Sequence, residues 1–165
     1  FLTDVDRQQL VEKYSLYMKD VVFEITEQGA VSDEELEAIR QLCADRTENQ
    51  IAIDDYGMGH SNIVNLMRYA PKVIKVDRFL INEIHRDRNK QMFVRSTVEF
   101  ARMNNIKVLA EGVETSDELC TVIELGVDLV QGFYTGKPLP EPVCELSQEI
   151  RNEILKANPM YLRVK

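Results

Sequence analysis

The sequence predicts an α/β fold in which about five parallel strands alternate with flanking helices. Two observations carry this. Five short apolar, largely β-branched runs alternate with stretches of helical periodicity. In each run a polar residue stands at or near the C-terminal end, and a turn or helix-cap signal follows most of them. Such a β-α series builds a parallel sheet through right-handed crossovers. No linker or second domain interrupts the series over 1–158, and 159–165 reads as a tail.

Residues 5–18 carry an imperfect helical stripe of Val5, Leu10, Val11, Tyr14, Leu16 and Tyr17. Asp20 to Thr26 reads as the first strand. Ser32 and Glu35 have capping-box spacing, and the helix they open is expected to run to about Arg46. Gln50 to Asp55 is the second strand. Gly57 and Gly59 then make a loop, with Ser61 as cap of a short helix. Lys72 to Asp77 is the third strand, followed by a helix over 89–104. Lys107 to Glu111 is the fourth strand. Thr115 and Glu118 form a second capping box before a helix that stops near Gly126. Asp128 to Gly132 is the fifth strand, and a last helix is expected over 141–157. The amphipathic helices 5–18, 89–104 and 141–157 read as core-facing shell, with dimerisation as the other use of such stripes.

Composition narrows the function classes. The 165 residues hold 20 Lys+Arg against 28 Asp+Glu, a net charge of −8, so the chain lacks the basic face that duplex nucleic acid needs. No apolar run approaches the roughly 18 residues of a membrane span. Cys43, Cys120 and Cys144 are far apart and have no neighbouring histidine at ligand spacing. They read as reduced, mostly buried thiols and point to a cytoplasmic setting rather than a zinc site.

The strand-end polar residues are Glu24, the pair Asp54–Asp55, Lys75 with Asp77, Glu111 and Gln131. Sites of parallel α/β folds form at the carboxyl ends of strands, so these segments converge on one rim. One such acid is usually a turn former or a cap; five segments in succession are harder to dismiss, though spacing alone leaves both readings open. Glu24, Asp54, Asp55 and Glu111 would repel one another without cations. Hard oxygen ligands select Mg²⁺ or Mn²⁺. Two ions sharing a carboxylate can clamp a phosphodiester and activate water, and Lys75 can hold that water or offset phosphate charge. Adjacent strand residues point to opposite faces. Asp54 and Asp55 therefore act together only if the strand ends at the pair, which Gly57 supports.

These segments resemble the EAL-domain family of bacterial cyclic-di-GMP phosphodiesterases, which have a TIM-like barrel. The matching stretches are Phe23-Glu24-Ile25-Thr26-Glu27, Ile53-Asp54-Asp55-Tyr56-Gly57-Met58-Gly59-His60-Ser61, Ile74-Lys75-Val76-Asp77, Leu109-Ala110-Glu111-Gly112-Val113-Glu114-Thr115 and Val130-Gln131-Gly132-Phe133. They occur in order from about residue 20 to residue 140. The resemblance implies a partial (β/α) barrel and a two-metal site of Mg²⁺ or Mn²⁺. It makes Glu24 and Asp54 ligands of the first metal, with Asp54 bridging, and Asp55 and Glu111 ligands of the second. Lys75 is implied to position the nucleophilic water, with Gln131 lining that pocket; Gln131 and Asp55 also face substrate. Glu27 is implied to anchor the loop Tyr56 to Asn62, with Asp77 and Glu114 as supports. The implied reaction opens cyclic-di-GMP to the linear dinucleotide.

The departures from the family also matter. The name-giving Glu-Ala-Leu segment and the Asn of the family's preceding strand, both first-metal ligands, are absent from these residues. Met58 stands where Thr or Ala is usual, and His60 where an aromatic is usual. A full barrel takes roughly 200–250 residues, so the chain is expected to be about the C-terminal three-fifths to two-thirds of a domain. A partial barrel has open sheet edges. It is expected to be a piece of a longer protein, to dimerise, or to rearrange locally; a first residue of Phe1 rather than Met favours the first. Two functions remain: a metal-dependent phosphodiesterase, weak or inactive as this piece alone, or a non-catalytic cyclic-di-GMP receptor or interaction module. Sensor or GGDEF-type domains are common around the family, so the resemblance allows one in the parent; nothing in these residues shows it.

Overall fold

The structure, a computed structural model, describes residues 9, 12–14, 21–27, 31–42, 51–59, 63–141 and 145–158. The elements are β1 (Phe23–Thr26), α1 (Asp33–Leu42), β2 (Ile51–Tyr56), α2 (Ile63–Tyr69), β3 (Val73–Val76), α3 (Arg78–Ile81), a 3-10 turn (Ile84–Arg86), α4 (Arg88–Met103), β4 (Lys107–Glu111), α5 (Ser116–Leu125), β5 (Leu129–Gln131) and α6 (Gln148–Ala157). The expected helix over 5–18 is helical at 9 and 12–14 and otherwise lies outside the described residues. Cys43, His60, Ser61, Cys144 and the tail 159–165 also lie outside them.

All five expected strands form one parallel sheet in the order β1-β2-β3-β4-β5. Crossovers of one hand, made without a reversal of strand order, put every connecting helix on the same side. A doubly wound sheet would reverse its order at a switch point, and none occurs here. This is the winding of a barrel wall. Its helix side carries Ile25, Ile53, Ile74, Val76, Val108 and Ala110, all buried against Leu36, Leu66, Ile81, Val94, Val98, Leu119 and Val122. Burying one such aliphatic side chain contributes about 1.5–3 kcal/mol. The register puts Glu24, Asp54, Lys75, Glu111 and Gln131 on the other face, with exposed Leu129.

Local signals account for most helix boundaries. α4 buries Val94, Thr97, Val98 and Ala101, the i, i+3, i+4, i+7 stripe of one face. Its N-cap is Asp87, whose carboxylate accepts from Asn89 N and Lys90 N. Asp87→Ala is expected to cost about 1 kcal/mol, read as a lower urea midpoint at unchanged slope. The Thr115–Glu118 capping box is present, and Gly126 at φ 86° closes α5. The last helix starts at Gln148, later than the sequence suggests. Ser147 caps it by accepting from Ile150 N, and this cap fixes the start.

Two short elements, α3 and the 3-10 turn, go beyond the sequence reading. They pack Leu80, Ile81 and Ile84 under the β3 exit, and Asp77 caps the first by accepting from Phe79 N at 2.7 Å.

Glu118 is only 4% exposed. Burial works against its charge, but backbone N–H groups of Glu83, Glu114 and Thr115 hold the carboxyl below its ordinary 4.5. A depressed acid adds stability above its unfolded value and loses it as pH falls through the folded value. The chain is therefore expected to lose stability with acid below about pH 4.5. Glu118→Gln should flatten that part of an acid-unfolding curve.

Candidate metal centre

Five strand exits meet at the rim, and Lys75 lies at the centre. Its side chain is 12% exposed, and Nζ lies 2.6 Å from Asp54 Oδ1, 2.9 Å from Glu24 Oε1 and 3.1 Å from Glu111 Oε1. One ammonium thus ties β1, β2 and β4 to β3. Burial alone would lower the lysine's pKa; the hydrogen bonds to Asp54, Glu24 and Glu111 outweigh it and push the ammonium above the ordinary lysine range.

Asp54, Asp55 and Glu111 each offer an oxygen within 4.8 Å of the others. The sequence requires the strand to end at this pair, but β2 continues through Tyr56. The chain solves the orientation problem differently. Asp55 takes a left-handed backbone at φ 54°, and the β2–β3 register shifts between Ile53 and Tyr56. A bulge of this kind re-aims a side chain within a strand, so neighbouring acids can serve one place. Aspartate tolerates that conformation better than most residues.

The electrostatics are those of crowded acids. Partial burial, then the charges of Asp54 and Asp77, raise the Asp55 pKa. Burial also raises Glu111; Lys75 pulls it down, and Asp54 and Asp55 push it up. An acidic, oxygen-only set at this spacing fits a hard divalent cation such as Mg²⁺ or Mn²⁺. No described His or Cys belongs to the cluster, which does not suit zinc.

The other expected residues divide. Glu24 is half-exposed and joins the cluster only through Lys75. Glu27 is buried; its Oε2 accepts from Gly57 N at 3.0 Å, and its own N–H bonds Asp54 O at 3.0 Å. It thereby fastens the start of the loop after β2 to the β1 exit. Gly57 has φ 106°, and a Cβ there would lie 2.2 Å from Leu80 Cδ1, so glycine is required. Glu114 pairs with Arg78 at 2.9 Å, and Asp77 spends its carboxylate on the α3 cap. Both lie beside the cluster rather than in it. Gln131, exposed on β5, is the register partner of Glu111. The sequence also understates Glu118, which reads there only as a capping residue.

A family profile for the EAL domain matches residues 3–138. Over 141 residues the chain is 36% identical to the bifunctional diguanylate cyclase/cyclic di-GMP phosphodiesterase MucR of Pseudomonas aeruginosa, covering 84% of this chain and 20% of that protein. The fold matches Klebsiella pneumoniae BlrP1, solved as a manganese/cyclic-di-GMP complex, with TM-score 0.74 and 33% identity over 82% of this chain and 36% of that one. It matches a standalone EAL protein of Vibrio cholerae in its cyclic-di-GMP-bound form with TM-score 0.70 and 31% identity, over 87% of this chain and 61% of that one. The chain spans about a fifth of the length of its first curated relatives. No helix among the described residues is long and apolar enough to cross a membrane. With five ordered motifs on a barrel-type wall and a profile match across most of its length, the chain belongs to the EAL domain family.

Proposed function

We propose that this chain supplies the cation-binding and water-positioning part of a cyclic-di-GMP phosphodiesterase site, which opens the cyclic dinucleotide to the linear one. The observation that carries this is the convergence of Asp54, Asp55 and Glu111 within 4.8 Å, with Lys75 bonded to Asp54 and Glu111. A divalent cation held there would polarise a phosphodiester oxygen and activate water. Asp54, Asp55 and Glu111 would hold it, and Glu24 with Asp54 would begin a second position. Lys75, whose ammonium bonds Asp54, Glu24 and Glu111, would donate to water or phosphate once a cation takes one of those carboxylates. Gln131 offers an amide donor and acceptor beside Glu111. Glu27 keeps the β2 loop at the rim.

The rest of the barrel, from the same domain or a second copy of the chain, completes the wall beyond β1 and β5. A parent carrying a sensor or GGDEF-type domain fits this reading, as does a cytoplasmic location, to which the free thiol of Cys120 is suited.

The test is to incubate the chain with cyclic-di-GMP and Mn²⁺ and to resolve the linear dinucleotide by chromatography. Slow product formation that Asp54→Asn abolishes is expected. Binding of cyclic-di-GMP without product, in either form, would favour the receptor reading instead.

A further inference from the structure

We propose that Glu118 is a positioning residue for the rim: its carboxylate ties the backbone after β3 to the backbone after β4 and so sets where Glu111 stands against Asp54 and Asp55. The proposal rests on the cation-site reading above. Glu118 Oε1 accepts from Glu83 N at 2.8 Å, across 35 residues of sequence. Oε2 accepts from Glu114 N at 2.9 Å and from Thr115 N at 3.0 Å. The Thr115 bond belongs to the capping box. The bonds to Glu83 and Glu114 go beyond a helix cap.

The geometry explains why the brace matters. Glu83 follows Lys75 on the far side of α3, at the start of the 3-10 turn, and holds a left-handed φ of 53°. A non-glycine residue keeps that backbone only where its surroundings hold it there; the buried carboxylate is the partner that captures its N–H. Glu114 and Thr115 close the turn that leaves Glu111. Arg78 and Glu114 also connect the two segments, but that pair is largely exposed and contributes little. Glu118 is the buried link between them, and charge-assisted bonds are the strong ones. Both carboxylate oxygens accept, whereas glutamine would keep one acceptor and place a donor against a facing N–H.

Amide hydrogen exchange and Mn²⁺ titration calorimetry on the wild-type chain, Glu118→Gln, Glu118→Ala and Thr115→Ala test this. Thr115→Ala weakens the α5 start and leaves the Glu83 bond. Glu118→Ala is expected to speed exchange across both 77–86 and 111–116 and to weaken Mn²⁺ about tenfold, as loss of outer-shell support does. Glu118→Gln, the variant that keeps the side-chain volume, should fall between it and wild type. Thr115→Ala should speed exchange only at the α5 start and leave Mn²⁺ within about twofold, since its bonds lie away from the rim.

Equal Mn²⁺ loss in Thr115→Ala, or Glu118 variants with wild-type exchange over 77–86 and wild-type Mn²⁺ affinity, would overturn the proposal. A wild-type chain that binds no Mn²⁺ while exchange still shows the brace would overturn the cation-site reading, and the positioning role with it.

Discussion

Lys75→Ala is expected to separate cation binding from turnover. Formation of linear dinucleotide should fall by about a hundredfold or more, the scale of losing a preorganised donor at a reacting centre. Mn²⁺ affinity should hold or rise. The reason is competition. The ammonium bonds Asp54, Glu24 and Glu111 at 2.6–3.1 Å, and two of those residues also belong to the three-carboxylate cluster. Removing it frees those oxygens and leaves Glu24, Asp54, Asp55 and Glu111 uncompensated. Two like charges about 4 Å apart cost about 1 kcal/mol in water and about 4 near a protein surface. The metal-free variant should therefore lose thermal stability at neutral pH.

The sign with pH follows from the same groups. Asp55 and Glu111 already lie above the ordinary carboxylate range. An acid with a raised folded pKa stabilises the fold when protonated, and that gain is lost as pH rises through the folded value. Without Lys75, the metal-free chain should thus regain melting temperature on mild acidification, and Mn²⁺ should restore it at neutral pH. Calorimetric titration, melting curves and chromatography of the product check the three parts. Weakened Mn²⁺ binding together with intact turnover would show that Lys75 holds the ligands rather than the water.

Much of this site is legible in the sequence because strand-end chemistry is local. A run such as Ile51 to Asp55 announces both a buried strand and an acidic end, and the sheet pairs it as expected. The Thr115–Glu118 capping box is legible for the same reason: its partners lie three residues apart. The features that a sequence hides depend on backbone state or on distance along the chain. The left-handed turn at Asp55 has no signature beyond aspartate's tolerance for it. The bond from Glu83 N–H to Glu118 spans 35 residues, and its donor is a main-chain group that every sequence carries. α3 is only four residues long, too short for periodicity to register.

Gly132→Ala is expected to destabilise the chain by about 3 kcal/mol, near the upper end of overpacking effects. In a domain of this size that is a fall of about 6–12 °C in melting temperature. A Cβ at Gly132 would lie 2.1 Å from Val113 O and 2.3 Å from Val113 N. Both are backbone atoms, and side-chain rotation cannot relieve the clash. Val113 is also fixed on either side: its N–H donates to Gln131 O at 3.2 Å, and its carbonyl accepts from Tyr134 N at 3.0 Å. The added methyl must therefore part the β5 exit from the turn after β4. Gln131 moves away from Glu111, its register partner, while Asp54, Asp55 and Lys75 lie on strands that the clash does not touch. Mn²⁺ affinity should then suffer less than affinity for cyclic-di-GMP. Gly136→Ala is the control, because its Cβ would meet nothing within 4 Å and should change stability by no more than about 0.5 kcal/mol. Equal melting shifts at the two glycines would mean that β5 is held loosely enough to yield, and the β4–β5 contact would no longer explain how Gln131 is held beside Glu111.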